Sequence, residues 1–368
     1  MSAFTGYNIF PGFTQIGVVN ESVKELAVNF NMAALNALQV LPDAKLKWTE
    51  LFGVTPAVFR GKVPIDLTML DGYEPYKGVR TFKQVDVAAL QVDVIPFDRN
   101  LEWPVELMRA GPDLLQIFAS LTNKTAALVS HARFMKSRLA ATVLMQGTPS
   151  TNKALVYQGN AIPGAGLPLF SSAGTTGAQY ANPLFAAAET RLFDNYFPAA
   201  GAFSPTTFEA TRTNMAKVPS ATSSSSTMGL EVTHVIGPTF MAEPFRKVML
   251  QDLFLATTTT PGNIGAAVSN IYVNGTTPCQ YWVSSELDGD PYVLANPGKH
   301  MWIAISQSIP GAHAVEMVAP SVEFMPEITM FGEQTEMAKQ TRKIHMISDL
   351  LAGAAAGLPH VCARYEQT

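Results

Sequence analysis

The stretch from Pro112 to Gln146 constrains the fold of this chain more than any other. After its first residue it contains neither proline nor glycine, so no residue in it interrupts an α-helix. Apolar residues recur in it every three or four positions, with one polar break at Thr125; they are Leu114, Phe118, Leu121, Leu128, Ala132, Met135, Leu139 and Val143. Pro112 suits a first helical position, and Gly147 suits the residue after a helix. We predict one helix of roughly 50 Å, either a long core helix of an enzyme or the spine of an extended subunit.

The composition favours burial of surface between subunits. Charged residues make up 15% of the chain, against about 25% in typical soluble domains, and 47% of the residues are hydrophobic. The mean hydropathy is positive, at +0.13. No run reaches the roughly 18 consecutive apolar residues of a membrane helix, so we expect no membrane partner. We interpret the apolar excess as subunit interface, although a large enzyme with few charges fits the same numbers.

Charge and motifs exclude several functional classes. A net charge of −4 argues against a dedicated nucleic-acid-binding protein, which needs a basic surface. The first residues, MSAFTGYNIFPGF, contain no basic start and no long apolar run, so we expect no secretory signal. The sequence has no zinc spacing, P-loop, GxGxxG or GxSxG motif, and it predicts no metal, no cofactor and no enzymatic activity. Cys279 and Cys362 have no metal or redox spacing and are expected to be free thiols.

One acidic cluster precedes the long helix. Asp98, Glu102 and Glu106 lie close to Arg99 in the sequence. Paired carboxylates can serve acid–base catalysis, but charges at this spacing more often form a solvated or interface ion cluster, and we interpret them so.

The N-terminal part indicates an irregular arm over residues 1–19 and then a helix. Asn20 can cap this helix and Pro42 ends it. Its apolar face consists of Val23, Leu26, Ala27, Phe30, Ala34, Leu38 and Leu41. An amphipathic helix needs a partner for such a face, which is either the core of its own chain or a neighbouring subunit.

Two strand-like runs before the long helix predict a β-hairpin. Val63–Met69 alternates apolar and polar residues, and Phe82–Phe97 does so in part. The segment LDGYEPYKGVR between them is rich in turn-forming residues. With arms of about 20 residues each, the hairpin could reach roughly 60 Å. Because an isolated two-stranded hairpin is marginal in water, it must lie on its own domain or on a neighbour.

The second half of the chain mixes helices and short strands. Ser204 and Pro205 open a helix through about Val218, and residues 220–229 form a connector. Thr233–Pro238 is a short buried strand, followed by a helix to about Phe254. From Asn263 onward the chain is β-rich, with strand-like runs at Asn263–Gly275, Cys279–Ser285, Pro291–Asn296 and His300–Ser308. Further strands and a small-residue stretch, Leu350–Tyr365, end the chain.

This order of elements resembles the major capsid proteins of tailed phages, which have the Hong Kong-97 fold. More closely, the chain is similar to the major head subunit of Mu-like phages and prophages. Three stretches carry the resemblance, namely Thr81–Leu121, Met228–Phe254 and Phe331–Val361, and the GLPLFSS segment at Gly166–Ser172 is similar to a shorter element of the family.

The resemblance implies an α+β, Hong Kong-97-like fold with five parts. These are an N-terminal arm with an amphipathic helix (1–53), a long hairpin called the E-loop (54–105), a P-domain built on the spine helix (106–219), an axial A-domain (220–299), and return strands of the P-domain (300–368). It implies that the E-loop lies over a neighbouring subunit. The candidate contact residues are those of its tip, Asp71, Gly72, Tyr73, Tyr76 and Lys77.

The resemblance also implies the function and partners. The chain would assemble with itself into pentamers and hexamers of an icosahedral shell around double-stranded phage DNA, which meets the inner face without sequence specificity. Portal, scaffold and decoration proteins would be further partners, in the virion and, during assembly, in the host cytoplasm. Alternatives are the shell of an encapsulin-like nanocompartment and a cytosolic α+β enzyme. Some shells of this fold carry Lys–Asn cross-links, for which Lys77 and Lys83 are candidates, although an exposed lysine on a hairpin is usually a solubilising charge.

Overall fold

The computed structural model describes residues 13–18, 21–40, 46–58, 60–66, 87–106, 114–148, 155–157, 160–162, 169–170, 194–218, 227–250, 253–255, 267–269 and 279–368. In these ranges the chain is a mixed α+β protein, as the sequence predicts. The helices are α1 (Glu21–Val40), α2 (Leu114–Gln146), α3 (Pro205–Ala216), α4 (Ala242–Met249), α5 (Pro291–Ala295) and α6 (Glu336–Thr341).

The strands are β1 (Phe13–Ile16), β2 (Gly53–Pro56), β3 (Arg60–Asp66), β4 (Val87–Asp93), β5 (Ile95–Pro104), β6 (Leu155–Tyr157), β7 (Asn160–Ile162), β8 (Tyr196–Ala200), β9 (His234–Gly237), β10 (Leu253–Leu255), β11 (Ala267–Ser269), β12 (Gln280–Val283), β13 (Met301–Ile305), β14 (Val315–Ala319), β15 (Glu327–Phe331), β16 (Lys343–Ala356) and β17 (Cys362–Gln367).

The first sheet is organised around its longest strand, β16. The strand order is β1-β15-β16-β14-β2, and β5 also pairs with β16. β16 is antiparallel to β14, β15 and β5, and its register with β5 runs from Lys343 opposite Pro104 to Ala352 opposite Ile95. This pairing joins the strand before the long helix to the last fifth of the chain.

The second sheet has five strands in the order β12-β9-β13-β17-β8. Its central strand, β13, is buried over its whole length, as expected of a strand covered on both faces. Alternate residues of β13 point to opposite faces, so Ile303 packs in one apolar core and Trp302 in another, which also contains Phe208 of α3 and Phe245 of α4.

The long helix α2 is confirmed. It has 33 residues and is about 50 Å long. The predicted face is buried wherever its side chains are described, from Leu121 to Val143. Thr125, the polar break, is fully buried, and its hydroxyl donates to the carbonyl oxygen of Leu121 at 3.0 Å, which satisfies it within the helix.

Two apolar cores share α2. The first core packs its C-terminal half, including Leu139 and Leu144, against β13, β14 and the end of β16. The second core packs its N-terminal half, including Leu121 and Leu128, against α1 and the start of β16. The apolar face of α1 is therefore covered by its own chain, which decides between the two partners that the sequence leaves open.

The capping residues of α3 are also confirmed. The Ser204 side chain accepts from the backbone of Thr207, and the Thr207 side chain accepts from the backbone of Ser204, so the two form a capping box with Pro205 at the first helical position. β9 and β12 lie where short strands are predicted.

The hairpin is confirmed at its base. β3 and β4 are antiparallel, with Arg60 opposite Asp93 and Asp66 opposite Val87, while residues 67–86 lie outside the described ranges. The predicted second arm, Phe82–Phe97, is wrong at its end, because the pairing with β3 stops at Asp93 and β5 pairs with β16 instead.

Two other predictions differ from the structure. Pro291–Asn296, predicted as a strand, contains helix α5, because Asp290 caps it and accepts from the backbone N–H of Tyr292 at 2.9 Å. The helix predicted to reach Phe254 ends at Met249, and β10 and β11 pair beyond it. Of the strands in residues 300–368, β13 and β17 belong to the second sheet, whereas β14, β15 and β16 join the first.

Candidate assembly site and a buried ionic cluster

The predicted contact residues of the hairpin tip are not tested by the structure. Asp71, Gly72, Tyr73, Tyr76 and Lys77 all lie outside the described residues, as does Lys83. Their role in contacts between subunits stays a prediction.

The base of the hairpin is fixed to the first core. Val63 and Val92 are buried there, on opposite arms of the hairpin. Gly61 lies against β14 so closely that an added Cβ would be 2.4 Å from Cγ2 of Val318. The absence of a side chain at Gly61 makes room for the side chain of Val318, so the hairpin base packs closely against β14.

Several large apolar side chains are exposed in the described part of the chain. They are Ile16, Val28, Met32, Val58, Phe240, Leu250, Val283, Leu294, Val322 and Met337. Val28 and Met32 lie one turn apart on the outer face of α1. Leu294, on α5 beside the second sheet, is the most exposed of the set at 69%. Scattered apolar exposure is normal on protein surfaces, but these positions are the candidates for contact between subunits.

The most concentrated electrostatic feature is a buried ionic cluster around Arg364. Its Nη1 and Nη2 atoms each donate to Asp290, with both distances 2.8 Å, and its Nε donates to Oε1 of Glu366 at 2.7 Å. Tyr196 donates its hydroxyl to Oε2 of Glu366 at 2.7 Å. Arg364, Asp290 and Glu366 are each at most 5% exposed, so the cluster is sealed from water.

This cluster ties the long helix to the second sheet. Nη1 of Arg364 also donates to the carbonyl oxygen of Leu144, at 3.3 Å, in the last turn of α2. The C-terminal end of a helix carries partial negative charge, so the guanidinium is favourable there. Burial alone would lower the pKa of Arg364, but the charges and hydrogen bonds of Asp290 and Glu366 more than offset this, and the pKa is raised.

No pattern in the sequence predicts this cluster. Asp290, Glu366 and Arg364 come from the cap of α5 and from β17, and no motif connects them. One signal was available: an acidic residue directly before a proline, as Asp290 precedes Pro291, is typical of a helix start.

The acidic cluster near Arg99 is a surface feature, as predicted. Glu102 accepts from Nζ of Lys343, across the pairing of β5 with β16, and this hydrogen bond lowers the pKa of the exposed Glu102 carboxyl. Asp98 accepts from the side-chain amide of Asn100 at 3.0 Å. The carboxylates are thus held by different neighbours.

The described residues hold no group of three or more His, Cys, Asp or Glu side chains placed to bind a metal ion. Cys279 and Cys362 are both free thiols, as predicted, and burial raises their pKa values, to about 12 for Cys279. Among the described helices, none combines the length and the apolar character needed to cross a membrane.

Comparison with known proteins finds likeness at the level of structure. No protein-family model matches the chain, and no curated protein matches it. Solved structures similar to it include the capsid of Myoviridae phage XM1, with 12% identity over 88% of this chain and 92% of that one and a TM-score of 0.41. A virus-like particle from Pyrococcus furiosus shares 10% identity over 92% of this chain and 98% of that one, with a TM-score of 0.43.

A third similar structure is the procapsid of bacteriophage JBD30, with 12% identity over 95% of this chain and 77% of that one and a TM-score of 0.42. The similar structures thus include phage capsids and a virus-like particle. At such low identities we assign no function from the likeness.

Proposed function

We propose that this chain is the major capsid protein of a tailed phage, with the Hong Kong-97 fold, and that its copies form the pentamers and hexamers of an icosahedral shell around double-stranded DNA. The observation that carries the proposal is the arrangement around α2. The described elements follow the order that the sequence resemblance implies: an N-terminal helix, the base of a hairpin, a long helix, and a late strand, β16, paired beside the strand that precedes that helix.

The proposed mechanism is mechanical. Each contact between subunits buries apolar area at about 25 cal/mol per Å², and a subunit in a closed shell meets several neighbours, so modest contacts add up. The base of the hairpin is anchored in the first core by Val63 and Val92, and the tip would lie over a neighbouring subunit. Exposed apolar side chains such as Val28, Met32 and Leu294 supply further contact area.

The proposal has three finer parts. The chain would be a Mu-like head subunit, its inner face would meet DNA, and portal, scaffold and decoration proteins would be its partners. They rest on the sequence resemblance. The virion would be the site of the assembled protein, and the proposal includes no enzymatic activity and no cofactor.

A second candidate, the shell of a nanocompartment that holds protein cargo, has the same subunit physics. Nucleic-acid content separates the two, since purified particles with packaged DNA absorb strongly at 260 nm and resist added nuclease. Particles that contain a cargo enzyme and no DNA would favour the nanocompartment.

Deletion of Leu70–Arg80 tests the proposal. The hairpin base is held by the core through Val63 and Val92, so we expect a folded, soluble subunit that no longer closes into shells. Size-exclusion chromatography and negative-stain microscopy measure assembly, and circular dichroism measures the fold. A control chain that lacks Ser223–Ser226 should assemble like the wild type. Normal particles from the Leu70–Arg80 deletion would contradict the role of the hairpin, and a wild-type chain that stays monomeric at high concentration would contradict the shell.

A further inference from the structure

A cavity lies between α2 and the first sheet, at the boundary of the first and second cores. Its volume is about 150 Å³, which is below the roughly 300–1,000 Å³ of sites for drug-sized ligands. Leu128 of the second core lines one end, and Met135 and Leu350 of the first core line the other. The apolar packing along α2 is therefore interrupted here, and we call this space the seam cavity.

Polar side chains line the seam cavity from both walls. α2 contributes His131 and Arg138, and the sheet contributes Arg99 and Ser348. In β5, alternate residues face opposite sides, so Arg99 is on the helix side with Phe97. In β16, Ser348 is buried and shares the helix-facing side with Leu350.

The acidic residue at the cavity belongs to the other face of the sheet. Asp98 also lines the cavity, but it alternates with Arg99 along β5 and accepts from Asn100, which lies on its own face. Arg138 is approached by Glu286, with Nε 3.6 Å from Oε1. The helix-facing lining thus brings two guanidinium groups, an imidazole and a hydroxyl together, with one carboxylate beside Arg138.

The positive charges around the cavity also affect the pKa of His131. Partial burial and then the charges of Arg99 and Arg138 lower its pKa, which favours the neutral imidazole. A bound anion would reverse this effect and draw a proton onto the imidazole, which would then donate from both ring nitrogens.

We propose that the seam cavity binds a phosphate oxyanion, either free phosphate or a phosphate of a nucleic-acid backbone, between Arg99 and Arg138, with Ser348 and His131 as further donors. Planar guanidinium groups match the geometry of phosphate oxygens, and the small volume selects a single tetrahedral group. Phosphate binding at this site does not depend on the proposed assembly into a shell, since all four residues lie within one subunit.

Equilibrium dialysis of the full-length protein against radiolabelled inorganic phosphate, at constant ionic strength, tests the site. We expect saturable binding of one phosphate per chain. Arg99→Gln should weaken it by roughly 10- to 100-fold, the loss of one hydrogen-bonded charge pair. Glu286→Gln should tighten it several-fold, because the competing carboxylate is removed. Lys124→Gln, which removes an exposed charge elsewhere on α2, is the matched control and should bind like the wild type.

A fluorescent DNA duplex, followed by anisotropy with the same variants, separates the two sources of phosphate. Binding of the duplex but not of free phosphate, with the same loss in Arg99→Gln, assigns the site to nucleic acid. Ser348→Ala is a second variant, which keeps the helix and sheet in place. It should weaken the affinity for the ligand a few-fold. The proposal is overturned if neither ligand binds, or if Arg99→Gln and Lys124→Gln behave alike. Particle formation is recorded separately, so a failure here leaves the shell proposal standing.

Discussion

Replacing Arg364 by methionine tests whether the buried ionic cluster holds the second sheet to the long helix. The variant keeps an unbranched apolar stem but removes the guanidinium group, which leaves Asp290 and Glu366 buried without their cation. Removing one partner of a buried ionic group typically costs about 3–5 kcal/mol, because the remaining charges have lost water and gained no partner. The carbonyl of Leu144 loses its donor as well, so we expect a loss at the upper end of that range.

Urea unfolding, at subunit concentrations too low for assembly, measures this loss. Trp302 reports on the second sheet, since its ring is buried and stacks on Tyr365 with centroids 5.2 Å apart. The unfolding midpoint of Arg364→Met should fall without a change in the denaturant dependence of the free energy.

The matched control removes all three charges together. Arg364→Met combined with Asp290→Asn and Glu366→Gln leaves no buried ion, and asparagine can still cap α5. Most of the lost stability should return, as it does when buried ion groups are replaced as a set. If Arg364→Met loses less than about 1 kcal/mol, or if the triple variant is no more stable than the single one, the cluster does not stabilise the junction as described.

Two further predictions concern the cores. Burial raises the pKa of Glu316, in β14, to about 8, so folding favours the protonated carboxyl. The contribution of this group to the free energy of unfolding is therefore complete below pH 4 and is lost as the pH rises to 8. The free energy of unfolding of Glu316→Gln should therefore exceed that of the wild type by about 3–5 kcal/mol at pH 8 and by little at pH 4. Glu327→Gln, at an exposed position, is the control and should not change the free energy of unfolding at either pH. Urea unfolding at the two pH values measures both variants. Leu121→Asp puts a charge into the second core and should abolish folding, whereas Asn123→Asp, at an exposed position of the same helix, should not. Circular dichroism distinguishes these outcomes. A folded Leu121→Asp protein would refute the packing of α1 on α2.

The helices could be predicted because their signals are local. The period of α2 and the stop before Pro42 are read from neighbouring residues, and the capping pair Ser204 and Thr207 lies within one turn. The length of α2 and the face it buries follow from such patterns alone.

Strand partners could not be predicted, because they depend on distant residues. Glu102 and Lys343 are 241 positions apart, yet they pair across β5 and β16. The run Phe82–Phe97 has no local signal that ends its pairing with β3 at Asp93. The ionic cluster was hidden for the same reason, since Arg364 and Asp290 are 74 positions apart and single charged residues form no motif.

α2 gives a physical reason why a subunit of this design could keep the fixed angles that a closed shell needs. Its N-terminal half is held by α1, which exposes Val28 and Met32, and its C-terminal end is held through Arg364 by the second sheet, beside which Leu294 is exposed. No glycine or proline interrupts its 33 residues, so it cannot hinge without breaking backbone hydrogen bonds. Contacts at either end therefore act on one stiff element. Under the proposed function, the two junctions at the ends of α2 set the angle between neighbouring subunits. The junction at the C-terminal end is made by the ionic cluster, which no sequence motif reveals.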